Sequence, residues 1–265
     1  MNLHNEWRKV LLDKVRNKHV KKSKTYFQEN KDKEFVISSM KKYYKKKQEM
    51  DKFLEKIITP YIEKKNLKVV DVCCGLGHIL HMLEKISPTS QFFGMDETRY
   101  LIEGAKKLNH NKKNINFEIS DAYNIKSKYK KAFDITINWK TLSWLPHYDK
   151  MIKSLFKITK NHIFLSSLFY DGYIDFETKV REYKKEHGKN GFNSYYNIYS
   201  YPKFEEFVYS LGAKNIEAYD FKIGIDLPRP SPDQMGTYTY KLKNGDRLQV
   251  SGSVLMPWKI IRIDL

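Results

Sequence analysis

The sequence predicts an α/β fold: a mostly parallel sheet with helices on both faces, a helical N-terminal extension and an inserted segment late in the chain. Three observations predict it. Short apolar runs at 68–73, 91–96, 115–119, 133–139 and 161–168 are each followed by a polar, helix-like stretch, and buried strands alternating with helices imply parallel βαβ units. The first run ends in a glycine-bearing turn that opens a helix. After Leu168 the alternation stalls in a long tyrosine-rich stretch.

The 265 residues have room for one α/β domain with additions, short of two full domains. Hydrophobic residues make up 41%, enough for a packed core rather than disorder. Residues 1–60 read as a helical cap, and 61–265 as the main domain with a lid insertion at 170–201. In the cap, Trp7, Val10, Leu11 and Val15 repeat at helical spacing, and Phe53, Leu54, Ile57, Ile58, Tyr61 and Ile62 do so more strongly. The lysine runs at 21–24 and 41–47 read as solvated helix faces.

Beyond the lid, 202–211 reads as a helix closed by Gly212, and 215–223 as a further strand. Residues 226–236 hold Pro228, Pro230 and Pro232 and read as a loop. Lys243-Asn244-Gly245-Asp246 is a hairpin turn between strands 237–242 and 247–251, and 258–264 is the last strand.

The residues that carry chemistry lie at the ends of the first three strands. In Val69-Val70-Asp71-Val72-Cys73-Cys74-Gly75-Leu76-Gly77-His78, Gly75 and Gly77 let the backbone approach a ligand, and the following helix offers free N–H groups. A dinucleotide fingerprint needs a third glycine where Leu80 stands. Asp96 ends the next strand, where a carboxylate can accept bonds from ribose hydroxyls or cap a helix. Asp121 and Ala122 follow the third strand, within reach of a purine amino group. In order, each at a strand's carboxyl end, they converge on one adenosine-shaped crevice.

These residues resemble the class I S-adenosylmethionine (SAM)-dependent methyltransferases over roughly 50–170. The family's D-x-G-x-G-x-G loop matches at Asp71, Cys73, Gly75 and Gly77, with Cys73 in place of the first glycine. The resemblance implies a Rossmann-like sheet, with SAM as cofactor and S-adenosylhomocysteine as product. It places Gly75 and Gly77 at the methionine moiety, Asp96 at the ribose, Asp121 at the adenine, and Asn138 and Trp139 at the end of the fourth strand near donor and acceptor. The tail, Gly236-Thr237-Tyr238-Thr239, Asn244-Gly245-Asp246-Arg247-Leu248-Gln249 and Leu255-Met256-Pro257-Trp258, resembles small-molecule methyltransferases of bacterial capsule and surface-polysaccharide synthesis. That resemblance implies an acceptor such as the phosphoramidate decoration of capsules.

Acceptor residues are expected beyond the fourth and fifth strands. His147 is the candidate general base; Trp144, Tyr170, Tyr173, Tyr196, Tyr199 and Arg229 are the candidate binding residues. Asn138-Trp139-Lys140-Thr141 is not the Asn/Asp-Pro-Pro-Tyr of exocyclic-amine nucleic-acid methylases. A pyrimidine-C5 enzyme needs a cysteine nucleophile near that strand, and both cysteines lie in the glycine turn. His78 and His81 share a helix without a third ligand at metal spacing, so no metal is expected.

The net charge is +18, and half of it falls in residues 1–60. The excess rests on 42 lysines against 7 arginines, whereas base and phosphate readout favours the bidentate arginine fork. That balance places an anionic small molecule or glycan precursor first as partner and an RNA substrate second. A polar N-terminus, no membrane-length apolar run and two adjacent cysteines predict a cytoplasmic location.

Overall fold

The structure, a computed structural model, describes residues 33–63, 65–183, 192–231 and 236–265. The helix expected around Trp7–Val15 and the lysine run at 21–24 lie outside them. Helix α1 spans Lys33–Lys45 and α2 spans Glu49–Ile62. Met50, Leu54, Ile58 and Ile62 recur every fourth residue of α2 and are buried, as a helix with one core-facing stripe requires. Its N-terminus is fixed by a reciprocal cap between Gln48 and Asp51. The helix runs through Pro60, across the boundary expected there, and shares one core with the sheet.

Strand β1 (Lys68–Val72), helix α3 (His78–Ile86), β2 (Gln91–Asp96), α4 (Arg99–Leu108) and β3 (Ile115–Ile119) form the first half of the fold. Strand β4 (Phe133–Asn138), a short 3-10 turn at Leu142–Trp144, α5 (Asp149–Ile158) and β5 (Thr159–Tyr170) continue it. Strands β1 to β5 pair in parallel in the order β3-β2-β1-β4-β5. The order reverses between β1 and β4, and ligands of open α/β sheets bind beyond the strand ends at such a switch. Successive β1 residues serve opposite faces. Val69 packs with Leu54, Ile58, Leu83 and Phe164 on the α2–α3 side. Val70 and Val72 pack with Ile152, Leu155 and Phe204 on the other.

The described residues after β5 form further strands. Strands β6 (Lys179–Glu182) and β7 (Phe192–Tyr195) pair antiparallel, and β8 (Ile198–Ser200) joins the main sheet beside β5. Helix α6 (Tyr201–Ser210) follows, with Ser200 as its N-cap accepting from Lys203 N–H at 3.3 Å.

Strand β9 spans Asn215–Asp220. Strands β10 (Thr237–Lys241), β11 (Arg247–Ser251) and β12 (Val254–Leu255) form a small antiparallel sheet around the expected turn. The last strand, β13 (Trp258–Asp264), inserts antiparallel between β5 and β9. Strand β9 is therefore parallel to β5, and the loops after both leave from the edge that carries the glycine turn.

Candidate active site

Strand β1 ends in a turn that repeatedly enters the left-handed region: Cys73 at φ 64°, Gly75 at 56° and Gly77 at 83°. Glycine adopts this backbone at no steric cost, and cysteine does not. The turn is stitched to the neighbouring strand ends. Cys74 N–H donates to the Met95 carbonyl at 3.0 Å, and Gly75 N–H to Asp96 Oδ2 at 3.0 Å. Thr98 N–H donates to Asp96 Oδ1 at 2.8 Å, and Ser120 N–H to the Asp96 carbonyl at 3.0 Å. Asp96 thus sits at the junction of β1, β2 and β3. Burial pushes its carboxyl up, against the pull of its bonds to Thr98 and Gly75.

Asp71 is buried, and its Oδ1 has no hydrogen-bond partner among the described residues. Burial first, then the Asp96 charge, raises its carboxyl well above the usual range. Burial, followed by the surrounding carboxylates led by Asp96, also holds both thiols up. Neither cysteine is a ready thiolate.

On the side where a Cβ would stand, the protein itself packs against these glycines. A Cβ on Gly75 would lie 2.5 Å from Met40 Cε. One on Gly77 would lie 2.5 Å from the Phe117 ring, which also presses on Gly94. The two glycines therefore admit a helix and a ring, beyond the ligand approach the sequence suggested. Helix α1 lies over the turn: Tyr44 Oη donates to the Leu76 carbonyl, and Asn109 Nδ2 to Tyr44 Oη at 2.8 Å.

Beside this turn lies a buried mixed-charge cluster that the sequence reading missed. Asp51 Oδ1 accepts from Trp139 Nε1 at 2.9 Å and from Lys140 Nζ at 3.0 Å. Lys140 also donates to Gln48 Oε1. His78 Nε2 stands 3.6 Å from Asp51 Oδ2, and the Tyr43 ring lies 5.3 Å from the imidazole. Burial works to raise the Asp51 carboxyl, but His78, Lys140 and Trp139 outweigh it and hold it well below the usual range. Burial lowers the Lys140 ammonium, with Asp51 opposing. Lys140 itself is held at φ 56°. The signals present in the sequence were the Gln48–Asp51 cap spacing and His78 beside Gly77.

The other expected residues divide. Asp121 is exposed, with Oδ1 accepting from Tyr123 N–H at 2.8 Å, and Ala122 is buried beside it. Asn138 is buried, donates to the Val72 carbonyl at 2.8 Å and leaves Oδ1 without a hydrogen-bond partner among the described residues. Trp144 pairs with Tyr196, ring centroids 4.9 Å apart. His147 is half-buried between the 3-10 turn and α5.

The tyrosines do not converge on one pocket. The Tyr199 hydroxyl donates to the Leu142 and Leu145 carbonyls on the opposite face from Tyr196. Tyr173 is exposed and donates to Glu206 on α6 at 3.1 Å. Tyr170 is partly exposed, edge-on to Phe176. Arg229 lies over the Tyr238 ring, 5.3 Å from its centroid, on the small antiparallel sheet.

A malonyl-[acyl-carrier protein] O-methyltransferase of Bacillus cereus is 26% identical over 110 residues, a stretch covering 41% of this chain and 40% of that relative. The chain thus matches less than half of that relative's length. The solved YcgJ protein of Bacillus subtilis superposes at a TM-score of 0.53 with 13% identity, covering 80% of this chain and 97% of that one. Magnesium protoporphyrin IX methyltransferase of Synechocystis, solved with bound SAH, superposes at 0.51 with 13% identity, covering 81% of each chain. Both share the Rossmann-like fold. A methyltransferase-domain family model matches residues 63–201, from the end of α2 through β5 and the segment after it, a little over half of the chain, and the chain belongs to that methyltransferase family.

Proposed function

We propose that this methyltransferase takes its methyl group from SAM and passes it to an anionic small molecule or glycan precursor, releasing S-adenosylhomocysteine. The observation that carries the donor assignment is Asp96. Its carboxylate stands at the carboxyl end of β2, held by Gly75 and Thr98 N–H groups at the strand-order switch. There it can accept from a ribose diol. The residues present fit the donor. The glycine turn and α3's N-terminus receive its methionine end, and Asp121 and Ala122 flank the adenine. Asn138 and Trp139 face the reacting end. SAM supplies a methyl already activated on a sulfonium.

What remains for the protein is alignment, and holding reactants in line supplies roughly 7–11 kcal/mol. Trp144 and Tyr196 form an aromatic wall beyond β4 that suits the acceptor side. Tyr170, Tyr173 and Arg229 would contribute through the lid and the loop after β9, whereas Tyr199, buried on the other face, would brace the turn at Leu142 and Leu145. The cap at 1–60 and the lid at 170–201 would flank the site on a catalytic domain of 61–265. An O-methyltransferase among the relatives supports an oxygen acceptor. A hydroxyl would need a general base, for which His147 is the candidate. An anionic phosphate or phosphoramidate oxygen would not. The lysine excess and the capsule-enzyme-like tail favour such an acceptor in capsule-type phosphoramidate methylation. Among the described residues no helix is long and apolar enough to cross a membrane.

Screening acceptors with methyl-labelled SAM tests this reading. Label is expected in phosphorylated, nucleotide-linked or phosphoramidate small molecules. Label entering RNA alone would overturn the acceptor class.

A further inference from the structure

We propose that Asp51, His78 and Lys140 form the subsite for the aminoacyl end of the methyl donor, Asp51 taking its ammonium and His78 with Lys140 its carboxylate. The inference rests on SAM being the donor. It begins with a buried cluster that its internal contacts do not satisfy. Asp51's side chain is 2% exposed and Lys140's 24%. A buried ion pair is a weak way to stabilise a fold, since apolar side chains of similar size often serve as well or better. Charges retained there call for another use.

The hydrogen-bond inventory shows what is left over. Among the described residues Asp51 Oδ1 holds Trp139 and Lys140, whereas Oδ2 accepts from Gln48 N–H at 3.2 Å, with His78 Nε2 3.6 Å away, beyond hydrogen-bond reach. One acceptor position on Oδ2 therefore remains. Lys140 Nζ donates to Asp51 and Gln48 and keeps a third proton. Both ring nitrogens of His78 are buried without a hydrogen-bond partner among the described residues. An imidazole always carries at least one donor, and buried donors are nearly always paired.

The unused set is a carboxylate oxygen, an ammonium proton and an imidazole donor. That set complements a zwitterion with one ammonium and one carboxylate. Its place agrees. His78 directly follows Gly77 of the glycine turn, Lys140 leaves β4 next to Asn138 and Trp139, and Asp51 bridges the two from α2. The groups facing the imidazole are Tyr43 from α1 and Asp51 from α2, with Lys140 reached through Asp51.

Calorimetry with two probes tests the subsite. S-adenosylhomocysteine carries the aminoacyl end. 5′-Methylthioadenosine keeps the adenosine and sulfur but lacks it. The parent chain is expected to bind the first more tightly. Asp51→Asn, His78→Gln and Lys140→Met should each weaken S-adenosylhomocysteine by about tenfold or more, the loss of a bond to a charged group, and leave 5′-methylthioadenosine within about twofold. The three variants report separately, so misfolding of one leaves two. Equal loss for both probes, the mark of a merely structural network, would overturn the proposal. So would a parent chain that binds the two probes equally. A parent chain that binds neither would overturn the donor assignment as well.

Discussion

Gly75 N–H donates to Asp96 Oδ2 at 3.0 Å, so the turn after β1 and the end of β2 form one unit across the switch point. The bond fixes the carboxylate and leaves lone pairs for a ligand. Asp96→Ala removes both functions and should cost about 1.5–3 kcal/mol of S-adenosylhomocysteine binding, the range for bonds to a charged group. Titration calorimetry checks it, and unchanged affinity would take Asp96 out of the ribose role.

Cys73 stands at φ 64°, where the resembled loop has glycine. A non-glycine residue in the left-handed region costs roughly 1–2 kcal/mol, and a β-branched one fits it worst. Cys73→Gly should leave stability near its starting value, strain relief offsetting the lost thiol packing and the looser unfolded chain. Cys73→Val should lower it by about 1–2 kcal/mol. Urea unfolding separates the two, and a Val variant as stable as the parent would contradict the strained turn.

Much of this architecture was legible because it is periodic. The runs at 91–96 and 115–119 and the strands at 247–251 and 258–264 coincide with β2, β3, β11 and β13, since a buried strand writes itself as a short apolar or β-branched run. The glycine turn and Asp96 were legible because such ends need particular residue types. The Asp51 cluster was not, because it joins residues 88 and 89 positions apart whose meeting depends on packing. Tyr196 and Tyr199 looked equivalent as lid tyrosines, yet they pack into different halves of the core, a difference set by tertiary packing. The hairpin of β6 and β7 lacked the alternation that marks a half-buried strand.

Gly94 is a glycine for the sake of Phe117. A Cβ there would lie 2.4 Å from the Phe117 ring and 2.9 Å from Cys74 Sγ. Gly94→Ala should destabilise the protein by about 1–3 kcal/mol, the range for overpacking a close-packed core. Phe117→Leu in the same chain should recover part of that loss, because the two sites share one space. A double-mutant cycle by denaturant unfolding measures the coupling, and strict additivity would refute the contact.

Asp71 makes stability depend on pH in a defined direction. Its carboxyl is buried, with Oδ1 unpartnered, and burial followed by the Asp96 charge raises it well above the ordinary range. The folded chain therefore holds a proton that the unfolded chain releases from about pH 3.9 upward. Where the folded state binds more protons, stability falls as pH rises. The contribution is complete below the unfolded value and is lost as pH climbs through the folded one. Asparagine has the same shape and no proton to release. Asp71→Asn should match the parent most closely at about pH 4, then gain on it steadily toward about pH 8, by about 1 kcal/mol or more. Urea unfolding of both chains across that window gives the two slopes. Parallel slopes would mean that Asp71 titrates alike in both states, and that its burial carries no electrostatic cost.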